Sequence, residues 1–183
     1  MTKIVAVFGS ARVQPDNEVY KQSYAIGQAL AEAGFITMTG GYAGVMEAAS
    51  KGAIEAKGEA YGVTVASLEY IGESVVNPYV TKEIRYDTLH QRIAYIVDAA
   101  DAYVVMPGGL GTGQELIEVW QGIRLGDLPE KPIIIYGNFW QPMIDIMLDG
   151  AYISPRDMQH IEIAHNAADT VSSIKNWFNK EQS

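Results

Sequence analysis

Alternation constrains this chain more than any other feature. Short apolar runs rich in β-branched residues take turns with longer stretches whose apolar residues recur at helical spacing. Ile4 to Phe8 is the first run and ends at Gly9-Ser10. Pro15-Asp16 then opens a helix with Val19, Ile26, Ala29, Leu30 and Ala33 on one face, and Gly34 stops it. Phe35 to Met38 is the second run, closed by Thr39-Gly40-Gly41. Val45 to Ala56 is a helix of small residues, and Ala60 to Val65 a third strand. Beyond a loop containing Gly72 and Pro78, Tyr79 to Ile84 is a polar extended stretch. Asp87 or Thr88 then caps a helix striped by Leu89, Ile93, Ile96, Val97 and Ala100. Ala102 to Met106 is a strand ended by Pro107, and Leu116, Val119, Trp120 and Ile123 mark the helix after it. Pro132 to Tyr136 is a strand, Phe139 to Leu148 a helix, Ile161 to Ile163 a short strand, and Ala167 to Phe178 a closing helix.

Strands alternating with helices imply right-handed crossovers and a parallel sheet. Strands that are apolar throughout imply that helices cover both sheet faces. The expected architecture is therefore an α/β, doubly wound parallel sheet. With 183 residues, two domains would each be undersized, so a single domain over 1–183 is expected. There is no cysteine, which excludes disulfide staples and thiolate chemistry. No apolar stretch approaches the roughly 18 residues of a membrane span, and the first residues lack a signal-peptide pattern. A cytoplasmic protein with no membrane partner is expected. Thirteen basic against 22 acidic residues leave a net charge of −9, which repels nucleic acid backbones. A small anion remains a possible ligand, because backbone N–H groups hold phosphate without net positive charge.

In open parallel sheets, ligands bind outside the carboxyl ends of the strands at the topological switch point. That rule selects the ends of the strands at Ile4, Phe35 and Ala102, and all three end in glycine. The richest is Pro107-Gly108-Gly109-Leu110-Gly111-Thr112-Gly113-Gln114-Glu115. Gly108, Gly109 and Gly111 let the backbone take positive φ and approach a ligand, Thr112 offers a hydroxyl, and the following helix supplies unpaired N–H groups. It is neither a Walker loop nor the dinucleotide fingerprint.

Glu115 is expected in the first helical turn, where it is either a capping acid or a carboxylate beside the anion site. Glu118 lies one turn on, a structural partner rather than a reacting group. Gly40, Gly41 and Gly44 form a second glycine turn. Met46 is either core or, with Tyr42, a flank for a planar base, and Glu47 is placed to meet a ribose hydroxyl. Arg92, at the edge of an apolar stripe, is either snorkelling to water or paired in a cleft. Ser10 and Thr39 end neighbouring strands and are candidates to line the same cleft. His90, His160 and His165 lack metal-ligand spacing.

With these residues in view, the chain resembles the LONELY GUY family, the cytokinin-activating phosphoribohydrolases, whose members often carry the label lysine decarboxylase-like. The family pattern Pro-Gly-Gly-x-Gly-Thr-x-x-Glu is similar to Pro107 to Glu115 at every fixed position. Gly40-Gly41-Tyr42-Ala43-Gly44-Val45-Met46, the opening Val7-Phe8-Gly9-Ser10-Ala11-Arg12 and the segment from Lys131-Pro132 to Phe139-Trp140 also look like family members.

The resemblance implies a Rossmann-like doubly wound sheet with helices on both faces, usually in a homodimer. It implies hydrolysis of the N-glycosidic bond of a nucleoside 5′-monophosphate, AMP or a cytokinin riboside monophosphate, to free base and ribose 5-phosphate. Arg92 and Glu115 are then the catalytic residues. Ser10, Gly40, Gly41, Gly44, Met46, Glu47, Gly108, Gly109, Gly111 and Thr112 are the expected substrate contacts, with no cofactor and no metal. No lysine has a Schiff-base context, so decarboxylation does not follow from the label. The chain departs from the family at Ile93, where lysine commonly follows the arginine, and at Tyr42, where glycine is frequent. Gly44 to Ser50 is also similar to molybdenum-cofactor carrier proteins, and the alternative is a carrier that binds a nucleotide or that cofactor without catalysis.

Overall fold

Each apolar run becomes a strand in the computed structural model, which describes residues 2–67 and 75–181. The turn expected at Gly72 lies outside the described residues. In chain order the elements are β1 (Ile4–Phe8), α1 (Glu18–Glu32), β2 (Ile36–Thr39), α2 (Val45–Glu55), β3 (Ala60–Val65), β4 (Lys82–Tyr86) and α3 (Leu89–Ala99). There follow β5 (Ala102–Val105), α4 (Leu110–Leu125), β6 (Ile133–Tyr136), α5 (Gln141–Asp149), β7 (Ile161–Ala164) and α6 (Ala167–Glu181). A 3₁₀ turn, Pro155–Met158, links α5 to β7.

The strands form one seven-stranded sheet in the order β4-β3-β2-β1-β5-β6-β7. Every pairing among them is parallel. The winding direction reverses between β1 and β5, so the switch point lies between them, where the chain leaves β1 toward one sheet face and β5 toward the other. Alternate β1 side chains feed two cores. Val5 and Val7 pack with Ile26, Leu30, Val45, Ala49 and Ile174, from α1, α2 and α6. Ala6 and Phe8 pack with Ile93, Ile96, Leu116, Val119 and Ile144, from α3, α4 and α5. Both faces are therefore covered, as the uniformly apolar strands require. No helix among the described residues is long and apolar enough to cross a membrane.

Two boundaries differ from the sequence pattern for local reasons. Helix α1 starts at Glu18 rather than at Pro15-Asp16, because Asn17 is its N-cap and accepts a hydrogen bond from the Val19 N–H at 2.8 Å. The polar stretch near Tyr79 is a true strand shifted to Lys82–Tyr86, and it forms a sheet edge. Edge strands tolerate charged side chains, which also discourage pairing with other chains, so alternation of polarity is weak there.

Helices α1 and α2 meet through glycine. A Cβ on Gly27 would lie 2.0 Å from the Ala49 carbonyl oxygen, and one on Gly52 would lie 2.0 Å from that of Tyr24. Backbone atoms cannot swing aside as side-chain tips do, so the spacing between these helices is set by the missing methyls. Gly27→Ala is expected to destabilise the protein by about 1–3 kcal/mol, despite alanine's better helix propensity. Urea titration checks this; an unchanged or raised midpoint would contradict the packing.

Candidate functional site

The carboxyl ends of β1, β2 and β5 open onto a cavity of about 770 Å³, within the range of small-molecule sites. Its lining includes Ser10 and Arg12 after β1, Gly40 and Met46 around β2, Leu89 and Arg92 on α3, and Gly109, Gly111, Thr112 and Glu115 at the start of α4.

The buried ion pair at its base is built from two helices. A capping box between Thr88 and Gln91 fixes the first turn of α3, which puts Arg92 at the fourth helical position. Its Nε donates to the Val63 carbonyl on β3 at 2.7 Å, and its Nη1 lies 3.6 Å from Glu115 Oε1. Both residues are buried, so Arg92 is paired in the cleft and does not snorkel. The 3.6 Å separation is longer than a charge-assisted hydrogen bond, so the pairing is mainly electrostatic. The Tyr42 ring lies 5.9 Å from the guanidinium carbon, and its hydroxyl donates to the Val65 carbonyl and accepts from the Val65 N–H. Tyr42 thus supports Arg92 from the core.

Glycine makes room for this pair. A Cβ on Gly40 would fall 1.7 Å from Arg92 Nη2 and 2.7 Å from Met46 Sδ. Gly40 therefore lets the guanidinium pass beneath the second strand's end.

The start of α4 differs from the sequence expectation. Its N-cap is Gly109, so Glu115 is the sixth helical residue and not a first-turn capping acid. None of Gly108, Gly109 and Gly111 has positive φ. Their lack of a side chain, rather than a left-handed backbone, is what the turn offers. Cβ atoms on Gly109 or Gly111 would meet nothing within 4 Å, whereas one on Gly108 would strike Thr112. Gly109 and Gly111 are thus bare toward the cavity, and Gly108 is a packing glycine. No side chain caps this helix, and the Gly113 N–H is the first bonded within it, to the Gly109 carbonyl. The preceding amides have no partner within the helix, the arrangement by which helix starts can hold an anion. Trp140 steadies the turn by donating from Nε1 to the Met106 carbonyl at 3.1 Å.

Several expected contacts lie elsewhere. Gly41, with φ of 79°, packs on Gly62 and Thr64. Gly44, with φ of 69°, abuts the Ser10 carbonyl. Glu47 accepts a hydrogen bond from the Tyr20 hydroxyl at 3.1 Å, which draws it toward α1, outside the cavity lining. Thr39 caps its own turn by accepting from the Gly41 N–H. Glu118 is exposed, away from the cavity lining. Met46 is both things at once, buried and lining the cavity. The pattern reading missed Arg12, Leu89 and Leu110 as lining residues; their signal was position at a strand end or helix start rather than residue type.

Burial pushes the Glu115 carboxyl from its ordinary 4.5 up to about 7, with Arg92 pulling in the opposite direction. Between those values the folded protein binds a proton that the unfolded chain does not, so this residue's contribution to stability falls as pH rises through the window. Relative to Glu115→Gln, the wild type is expected to lose about 2–3 kcal/mol between pH 4.5 and pH 8. Urea unfolding of both proteins across that range checks it; a constant difference, or one growing in favour of the wild type, would contradict it.

A pyridoxal-type cofactor needs a lysine amine, and no lysine lines the cavity among the described residues. The site therefore does not fit that group. The profile of the family described as "Possible lysine decarboxylase" matches residues 46–174. An uncharacterized protein of Archaeoglobus fulgidus is 37% identical over 123 residues, covering 67% of this chain and 78% of its own. The cytokinin riboside 5′-monophosphate phosphoribohydrolase of Mycobacterium tuberculosis is 29% identical over 160 residues, 84% of each chain. Among solved structures, the molybdenum cofactor binding protein of Rippkaea orientalis superposes with a TM-score of 0.76 at 24% identity, covering 97% of this chain and 98% of that one. At that identity the likeness speaks to fold.

Proposed function

The chain belongs to the family described as possible lysine decarboxylase, and we propose that it is a nucleoside 5′-monophosphate phosphoribohydrolase acting on AMP or a cytokinin riboside monophosphate. The observation that carries this reading is the buried Arg92–Glu115 pair beside an uncapped, glycine-lined helix start in one cavity. The 5′-phosphate sits on the amides of the Gly109 to Thr112 turn, with the Thr112 hydroxyl beside it. That anchor presents C1′ to Glu115.

The C1′–N bond breaks as the base leaves, and positive charge develops on the sugar, as in glycoside hydrolysis. Glu115, ionised beside Arg92, stabilises that charge and accepts a proton from the attacking water. The water oxygen bonds to C1′ and the departing base nitrogen is protonated from solvent, giving free base and ribose 5-phosphate. Met46, Leu89 and Leu110 supply apolar surface for the base and any apolar substituent on it. The working form in this proposal is a cytoplasmic homodimer. Ile117, Ile146 and Tyr152, exposed on and beside α4 and α5, offer it an apolar contact.

The rival reading, a carrier that binds without hydrolysing, draws support from the fold shared with molybdenum cofactor binding proteins. The buried Arg92–Glu115 pair in the same cavity favours the enzyme reading. Chromatographic assay for free base from AMP and from a prenylated adenosine monophosphate decides between them. Release from either is expected, with Glu115→Gln slowing it by at least about 100-fold while nucleotide binding persists. No release from the wild type, or full activity in the Gln variant, would contradict the enzyme assignment.

The turn has its own test. Because a methyl on Gly111 meets open space and the residue is helical, Gly111→Ala is expected to leave stability unchanged or raise it by up to about 1 kcal/mol. The same methyl would obstruct the phosphate and weaken AMP binding. Thermal melting and calorimetric titration read the two effects; undiminished AMP affinity would contradict the phosphate's placement.

A further inference from the structure

We propose that Arg12 reads the charge of the ligand's phosphate and so sets the cavity's preference for a monoester over the free nucleoside. This rests on the phosphate placement above but on no step of the chemistry.

Among the described residues, three charged side chains line the cavity: Arg12, Arg92 and Glu115. Two of them are committed to each other, since Arg92 lies 3.6 Å from Glu115 and its Nε is held by the Val63 carbonyl. Arg12 is exposed, and among the described residues its guanidinium has no hydrogen-bond or ion-pair partner. Its backbone, by contrast, is fixed. The Arg12 N–H donates to Ser10 Oγ at 3.1 Å, and the Ser10 N–H donates to the Pro107 carbonyl at 3.1 Å. The Val45 N–H donates to the Ser10 carbonyl at 2.9 Å. The loop after β1 is thus tied both to the segment that carries the glycine turn and to the start of α2. A pinned main chain carrying an unspent cation at a cavity mouth is an arrangement for binding an anion.

Charge balance calls for such a group. The chain carries −9, so an approaching phosphate is repelled by the protein as a whole. The helix start offers roughly half an elementary charge against a phosphate monoester's charge of about −1.5 to −2. The Arg92–Glu115 pair cancels itself when ionised. Arg12 is the remaining cation of the described lining, and a guanidinium fork matches two phosphate oxygens at once. A free nucleoside offers it nothing. Arg92 is the cation paired with Glu115, so Arg12 is expected to act on binding rather than on that carboxylate.

Calorimetric titration of the full-length protein with AMP, adenosine and inorganic phosphate, for wild type, Arg12→Ala and Arg12→Lys, tests this. Arg12→Ala is expected to weaken AMP by about 10- to 100-fold, with adenosine unchanged. Arg12→Lys keeps the charge but loses the fork, and falls between. In turnover, KM for the monophosphate rises in Arg12→Ala while kcat is kept. Unchanged AMP affinity in Arg12→Ala, or equal losses for AMP and adenosine, would overturn the role. A wild type that binds AMP but releases no base sinks the hydrolase reading alone, and the AMP-to-adenosine ratio still decides for or against Arg12. A wild type that binds neither AMP nor phosphate overturns both.

Discussion

The buried pairing of Arg92 with Glu115 is the constraint around which the rest of the site is arranged. A carboxylate taken out of water is costly unless an opposite charge stands beside it, and an arginine in the core is costlier still without partners. Here each solves part of the other's problem, and Val63 and Tyr42 supply the remainder. The residual cost of the arrangement is visible in Glu115, whose carboxyl is pushed up to about 7 despite its cationic neighbour. Such a pair is weak evidence for stability, since well-packed apolar residues would do as well. Its retention makes sense if the cavity needs a poised carboxylate.

The fold delivers the pair by topology. Arg92 and Glu115 come from consecutive helices, α3 and α4, on the same face of the sheet, beside the switch point between β1 and β5. Two kinds of glycine then complete the cleft. Gly40 is bare so that Arg92 can pass, and Gly108 so that Thr112 can pack. Gly109 and Gly111 are bare toward open space, which no internal packing demands. Neither packing nor a positive φ accounts for the missing side chain at Gly109 and Gly111, which leaves room there for close approach of a ligand.

Much of this was legible in the residues, and the exceptions have physical causes. The strand-helix alternation, the parallel sheet and the three cavity-facing strand ends follow from periodicity and the switch-point rule, because both faces of the sheet are buried. Asn17 was obscured as a cap by the turn residues before it, and β4 by the charges an edge strand carries. At the site, residue type alone left Arg92 between snorkelling and pairing; only the tertiary partners on β3 and α4 decide it. Glu47 and Gly41 have the right chemistry beside a glycine turn, yet Tyr20 holds the first and the Gly62 backbone abuts the second. Spacing along a chain cannot report a competing hydrogen bond from a different helix.

The central claim is geometric: phosphate on the Gly109 to Thr112 turn, with C1′ of the ligand facing Glu115. A crystal structure of Glu115→Gln with bound AMP tests it, because the variant is expected to retain ligand without consuming it. Phosphate oxygens are expected within hydrogen-bonding distance of the amides at the start of α4, and the N-glycosidic bond beside Arg92 and the substituted side chain at position 115. A nucleotide bound with its phosphate away from that helix, or with its sugar remote from position 115, would contradict it.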